Sequence, residues 1–417
     1  MGTGSNRHTG DTAVSLSKLS VASHVWDKLL DKCVQSNLPG ENLYEFPLGG
    51  QAPFGVSISA PGYLRDALPS SPFSSRHLVD GILRELKLHT ARIRQRRVPW
   101  IRWQLPQCLF DGAEATEIMY FLGRQFKLSD TRDHYYSVVF DFEDLNSSKI
   151  ALFKGLGFNS LEINFNNPQQ LSAGTLRTCA NLAHDFHFDC LTLNLTRPMP
   201  ELLAGLRETE LPEGKLPCSI VVDQFEQNSL NGENFYGLFT GLRDLGYRVL
   251  GNDCFVASDT SLALAQIKRE LRLTSHGYNC QNVRNILGLG PGNTSNWGSL
   301  RHVNPEDLSD YLRDDFEENV TTPFLSNTLK AVLDQLLCYH QLDLRYFRDR
   351  YKLDIPTAIE AAWAGLKSQA SGLYTTTQNQ LSLTTEGILK LSELCDALAA
   401  QLANPPATLP ANTAVAE

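Results

Sequence analysis

The chain has 417 residues, 42% of them hydrophobic and 20% charged, with 46 Asp plus Glu against 37 Lys plus Arg. A formal charge of -9 disfavours a general attraction to nucleic acid, and no run approaches the roughly 20 apolar residues that cross a bilayer, so no membrane insertion is expected. Nine cysteines stand singly at 33, 108, 179, 190, 218, 254, 280, 338 and 395, none in a C-x-x-C, and the chain opens without a secretory signal pattern. Both features predict a cytoplasmic protein with free thiols.

Residues 1–53 read as an N-terminal extension with a small, polar, disordered start, a short helix at 23–35 and a Pro/Gly-rich link. Apolar, β-branched runs then recur at 54–59, 100–105, 136–142, 160–165, 191–196, 219–223 and 247–251. Stretches of helical period lie between them at 75–96, 113–126, 147–156, 168–186, 200–208 and 233–245. This alternation is what a right-handed parallel β/α series requires. It predicts an α/β fold over 54–300, a closed or partial barrel of six or seven strands, with a doubly wound open sheet satisfying the same periodicity.

At 286–298 an apolar run breaks into a loop carrying Gly288, Gly290, Gly292 and Gly298. The Gly-x-Gly-x-Gly spacing is not a dinucleotide fingerprint, and a tight strand-to-loop connection is its simplest reading. Past 300 the strand alternation stops. Helical patterns at 326–342, 344–351, 355–370 and 385–402, with two short strands at 373–377 and 380–384, make 301–402 a helical, winged-helix-like domain. Seven Lys plus Arg against eight Asp plus Glu over 323–402 give it no basic face for DNA, so it reads as a packing lid. Residues 403–417, with three prolines, read as a flexible tail.

The second half carries a resemblance. The segment 246–265 has Gly251, Asp253 and Phe255, with Cys254 where a histidine is usual; the turn Ser275-His-Gly-Tyr-Asn279 and the loop Leu287-Gly-Leu-Gly-Pro-Gly292 follow. Together with 157–161 and 374–389 these resemble the oxygen-independent coproporphyrinogen III oxidase family, a branch of the radical S-adenosylmethionine enzymes that includes haem chaperones. The resemblance covers roughly residues 54–400 and implies a radical-SAM-type (β/α) partial barrel, with a 4Fe-4S cluster and S-adenosylmethionine as cofactors. Such a cluster takes three thiolates spaced C-x-x-x-C-x-x-C after the first strand. Here Tyr63, Ala67 and Ser70 fall at those positions. The family's glycine-rich motif falls on 103–108 with no glycine, its strand-end glutamate on Phe140 beside Asp141 and Glu143, and its later aspartate and glycine on Cys190 and Asn194. This degenerate pattern leads to the expectation of a protein without the family's radical chemistry, not an enzyme, acting as a haem or tetrapyrrole carrier or as a partner of an active relative.

Candidate binding residues are Cys254, His276, Tyr278 and Cys280, on the part resembling the tetrapyrrole side, with Gly288, Gly290 and Gly292 of the loop. His and Cys are the usual axial ligands of haem iron, so haem is the cofactor such a set would suit, against the alternative that these residues are structural. Strand ends place Asp141, Glu143, Asn164, Asn166, Arg197, Asp223, Gln224, Asn252 and Asp253 on a polar rim, fit either to solvate the mouth or to do acid/base work. His184, His187, Asp189 and Cys190 bring metal-ligand types together, though a polar helix-to-strand connection explains them equally, and no metal site or catalytic residue is assigned. A basic cluster at 92–97 ends a helix. An interaction scaffold remains the third reading, and protein partners are expected under it.

Overall fold

The computed structural model describes residues 52–403 apart from 92, 94–95, 130–132, 210–216, 224–228, 298–299, 314–319, 322–326 and 365–371. The expected disordered start, the helix at 23–35, Gln224, Gly298 and the tail beyond 403 lie outside the described residues.

Six parallel strands pair in chain order: β1 (Phe54–Ser59), β2 (Trp100–Gln104), β3 (Tyr135–Asp141), β4 (Ser160–Phe165), β5 (Cys190–Leu195) and β6 (Ser219–Val222). Helices α1 (Ser75–Thr90), α2 (Gly112–Gln125), α3 (Ser147–Gly155), α4 (Ala173–Asp185) and α5 (Glu201–Glu208) connect them. Local chemistry sets where these helices start. Asp111 accepts from the Glu114 backbone N–H at 2.8 Å while the Glu114 carboxylate accepts from the Asp111 N–H at 3.2 Å, a reciprocal cap for α2. Asn146 and Ser172 do the same one-sidedly for α3 and α4.

After α6 (Ser229–Asp244) the pattern departs from expectation. The run at 247–251 is not a seventh parallel strand. Only Gly251, Asn252 and Asp253 separate β7 (Arg248–Leu250) from β8 (Cys254–Val256), far fewer residues than a parallel crossover needs, so the two form a hairpin and β8 runs antiparallel to β6. Then follow α7 (Ser261–Lys268) and the hairpin β9 (Arg272–Thr274) to β10 (Gly277–Asn279). The seventh parallel strand is β11 (Asn285–Leu289), the apolar run before the glycine loop, lying along β1 with Phe54 opposite Asn285. Antiparallel strands β12 (Thr294–Trp297), β13 (Leu300–Val303) and β14 (Val320–Thr321) extend that side. Among the described residues the sheet has twelve strands with β14 and β7 at its edges, an open, partial barrel.

Both faces of the parallel strands are buried, but with opposite chemistry. Val56, Ile58, Ile101, Trp103, Val138, Phe140, Leu161, Ile163, Leu193 and Ile220 belong to the main hydrophobic core. The alternate positions carry Ser57, Arg102, Ser137, Glu162, Thr192, Asn194 and Ser219, all buried. Because side chains alternate with period 2, one face meets the helices and the other lines a polar lumen.

The C-terminal part starts with α8 (Leu308–Arg313), α9 (Asn327–Tyr339), β15 (Gln341–Asp343), α10 (Leu344–Tyr351) and α11 (Ile355–Ala364). It ends with β16 (Tyr374–Thr376), β17 (Gln380–Leu383), α12 (Thr385–Leu389) and α13 (Leu391–Ala403). The expected hairpin is present, and β15 adds a third strand to it. The helix expected over 385–402 is divided at Lys390. A second core joins Leu333, Leu336, Phe347 and Leu394 to Leu250, Cys254, Leu271 and Tyr278, so it draws on residues well before 300.

Candidate functional site

The lumen holds a continuous polar chain. At its centre Arg102 grips Glu162, with Nε 3.2 Å from both carboxylate oxygens and Nη2 2.9 Å from Oε2, the side chains being nearly fully buried. Burial alone would push the Glu162 carboxyl up, but the Arg102 charge and hydrogen bonds from Arg102 and Asn194 hold it below the ordinary carboxylate range. Asn194 donates to Glu162 at 3.2 Å and to Asn164 at 3.1 Å, and Asn164 donates to Asp141 at 2.8 Å. Asp141 and Asp144 in turn accept from Arg65, at 3.1 and 2.8 Å. Arg65 sits on the single helical turn Leu64–Ala67 after β1, so this chain of contacts runs from the strand mouth into the interior.

At the mouth Asp144 stands out. Its Oδ2 is buried without a hydrogen-bond partner, and burial pushes its carboxyl up against the lowering charge of Arg65. Cys108 lies close by, its thiol also pushed up by burial. The remaining space there is a cleft of about 40 Å³ between Gln104, Gln107, Asp141 and Asn164.

The candidates chosen from sequence converge only in part. Cys254, His276 and Tyr278 line a small space of about 60 Å³ beside Arg102 and Glu162, whereas Cys280 faces a different cavity. His276 has both ring nitrogens engaged, Nδ1 with Ser275 Oγ at 2.9 Å and Nε2 with Asn293 Oδ1 at 3.1 Å. Asn293 Oδ1 already accepts from Thr294 N–H, so Nε2 carries the proton and donates. Burial pushes this imidazole down to about 4 and keeps it neutral. The Cys254 thiol is pushed well up by burial, and the Tyr278 hydroxyl donates to the Leu337 carbonyl at 2.9 Å. So arranged, His276 and Tyr278 are held by protein partners, and the four residues do not share one space.

The three glycines answer to backbone packing. Gly290 has a φ of 103°, and a Cβ there would run into the Ser59 carbonyl oxygen; one on Gly288 would meet the Thr294 carbonyl. Gly292 has a φ of 68° beside Pro61. Buried Glu85 of α1 fixes the loop, accepting from Gly290 N–H at 2.9 Å, Asn304 Nδ2 at 2.8 Å and Tyr311 O–H at 2.8 Å.

Elsewhere, His187 takes a left-handed conformation that closes α4, and its carbonyl accepts from Lys154 at 2.6 Å. His184 is exposed beside Asp185. Arg96 of the basic cluster donates to the Gln125 carbonyl that ends α2, at 3.3 Å. Among the described residues no group of three or more His, Cys, Asp or Glu is placed to hold a metal ion.

A cavity of about 990 Å³ opens at the opposite end, where the strands begin. Asp133, Asp189, Asp259, Cys190, Cys218 and Cys280 are among its lining residues. The sequence singles out Asp189, Cys190 and Cys280 of this lining but does not bring them together, and the Arg102–Glu162 pair is passed over. The missed signal was polar residues at alternate positions of buried strands, as in Leu161-Glu-Ile-Asn-Phe165 and Leu191-Thr-Leu-Asn-Leu195.

No protein-family model matches the chain. It is 22% identical over 375 residues, 79% of each chain, to an oxygen-independent coproporphyrinogen III oxidase of Pseudomonas aeruginosa. Its architecture matches the coproporphyrinogen III oxidase from Escherichia coli, reported as a radical SAM enzyme, with a TM-score of 0.69 over 86% of this chain and 95% of that one at 17% identity. The chain is thus similar in sequence to an oxygen-independent coproporphyrinogen III oxidase and in architecture to a coproporphyrinogen III oxidase. Its fold is the radical-SAM-type partial barrel with a helical C-terminal part.

These relatives correct one expectation. The chain was expected not to be an enzyme, yet both proteins it is similar to are oxidases, one of them reported as a radical SAM enzyme, and that kinship runs against inactivity. Unsuitable ligands on one loop remove one chemistry from that loop and say nothing of the rest. The loop itself does not fit a 4Fe-4S cluster. Tyr63 O–H donates to the Glu306 carbonyl at 2.9 Å, Ala67 and Ser70 supply no thiolate, and Arg65 projects a cation towards Asp141 and Asp144.

Proposed function

We propose that this chain acts in tetrapyrrole metabolism in the cytoplasm, taking a coproporphyrinogen-type tetrapyrrole at the mouth of its partial barrel. The observation that carries this reading is the likeness to coproporphyrinogen III oxidases along most of both chains, together with a barrel face that keeps an unbroken polar lining from Arg65 to Arg102. Eight described cysteines without a disulfide agree with a reducing compartment. The test is an absorbance and fluorescence titration of the purified full chain with coproporphyrin, followed by product analysis after anaerobic incubation with coproporphyrinogen. Saturable binding at one site per chain is expected; a linear, unsaturable response would sink the reading.

A second reading rests on Asp144. A carboxylate with a buried, unpartnered oxygen at a strand end of a β/α barrel suits a general acid or base, and the elevated pKa brings it nearer the working range. Under this reading any turnover has a rate limb set by Asp144, which Asp144→Asn abolishes while ligand binding persists. Equal loss of binding and rate in that variant would assign Asp144 to structure.

A further inference from the structure

The cavity of about 990 Å³ where the strands begin lies away from the mouth, and the likeness to oxidases does not explain it. Its volume suits a small organic ligand. The polar face of the lumen continues down to its floor. Ser160 stands two residues before Glu162 on β4, and Ser219 opens β6 with its Oγ 2.6 Å from Thr192 Oγ1. Ser219 and Tyr135 line both this cavity and the space beside Arg102 and Glu162. Ser160 is the exception on this floor: it is fully buried, it lines the cavity, and its Oγ has no hydrogen-bond partner. A buried hydroxyl so placed calls for a partner from the cavity itself.

The rim carries exposed carboxylates on three separate connections. Asp133 stands two residues before β3, Asp189 immediately before β5, and Asp259 three residues beyond β8, whose last residue Val256 faces Ser219 of β6. Strand β4 lies between β3 and β5, and β6 between β5 and β8, so successive carboxylates start from backbone about 10 Å apart. Asp189 is also held in place: Asn159 Nδ2 donates to its Oδ2 at 3.2 Å, while Asn159 Oδ1 accepts from the Tyr136 N–H at 2.9 Å. The basic residues of the lining are Arg97 and His134, and His134 Nε2 is turned to the Gly157 carbonyl at 3.2 Å. Leu245, Tyr247 and Leu262 supply apolar wall between the acids.

We infer that this cavity binds an aliphatic polyamine, with its ammonium groups on Asp133, Asp189 and Asp259 and its methylene spacers along Leu245, Tyr247 and Leu262. Spacing selects the class. A single metal ion reaches one of these carboxylates at a time, and an anion meets three like charges, whereas a chain of separated ammonium groups meets each in turn. Ammonium groups only donate, and the carboxylates and the Ser160 hydroxyl oxygen are the acceptors waiting for them.

Titration calorimetry of the full-length chain with spermidine tests this. One saturable site per chain is expected, and 1,8-octanediol, of similar length but uncharged, should give no heat of binding. Asp189→Asn and Asp259→Asn should each weaken spermidine about ten-fold, the loss of one charge-assisted hydrogen bond, and Ser160→Ala about three-fold. Asp141→Asn makes the same change of charge at the mouth and should leave the affinity unaltered. Unsaturable heat, equal weakening by Asp141→Asn, or displacement of spermidine by equimolar magnesium would overturn the inference. Thermal transitions of the variants separate lost binding from a lost fold.

Discussion

His276 and His340 are half-buried neutral bases, and this fixes the sign of an acid response. Burial pushes each down to about 4 from an ordinary value of 6.5; His276 bonds Asn293 and Ser275, and His340 Nε2 bonds the Gly251 carbonyl at 2.6 Å. As pH falls through 6.5 the unfolded chain takes up protons that the folded chain refuses until about 4. Stability is therefore full above pH 6.5 and lost across that window, by on the order of 3 kcal/mol per histidine. Urea midpoints at pH 7 and pH 4.5 test this, and His276→Gln should flatten half of the slope. A wild-type midpoint unchanged between the two would refute the burial argument. Gly290 makes a second demand at this scale. Its positive φ and the Ser59 carbonyl against it leave no room for a methyl group, so Gly290→Ala should cost about 3 kcal/mol or more, read as a lowered Tm.

At the scale of elements, the Arg102–Glu162 pair shows what the strands carry. Strands β2 and β4 do not touch each other, since β3 lies between them, yet Arg102 reaches across the concave face to Glu162. The pair thus ties the curvature of the sheet across an intervening strand. Arg102→Met should strand a buried carboxylate and cost about 3–5 kcal/mol, while adding Glu162→Gln should restore much of it. A double variant no more stable than the single one would show that the arginine acts through packing. Sequence made most of these elements legible, because six apolar runs separated by helical periods are a strong pattern. It failed at 247–251, where three residues of loop decide between hairpin and crossover, and at the lumen, where Arg102, Glu162, Thr192 and Asn194 alternate with apolar residues and converge only in the folded sheet. His276 was picked out as a candidate haem ligand, but which atoms its ring nitrogens meet depends on Asn293, seventeen residues away, and no local spacing encodes that.

For the molecule as a whole, the two cores are interlocked rather than laid side by side. Leu250, Cys254, Val256 and Leu271, from the end of the barrel sheet and its neighbourhood, bury themselves against Leu333, Leu336 and Leu394 of the C-terminal helices. Tyr278 O–H and the Gly251 N–H both bond the Leu337 carbonyl at 2.9 Å, and buried Tyr311 of α8 bonds Glu85 on the first barrel helix. Ending the chain after Val303 would expose the apolar side of β7, β8 and α7 and take from Glu85 two of its donors, Asn304 Nδ2 and Tyr311 O–H. A small domain could shed an independent neighbour without harm, but here the lost surface is part of one sheet's core. The truncated chain should therefore bind a hydrophobic dye and lack a cooperative thermal transition, whereas the full chain should unfold in one transition seen alike by tryptophan fluorescence and far-UV dichroism. A cooperatively folded 1–303 fragment would mean that the C-terminal helices only cap a barrel able to stand alone, and that the tetrapyrrole test can be run on the barrel by itself.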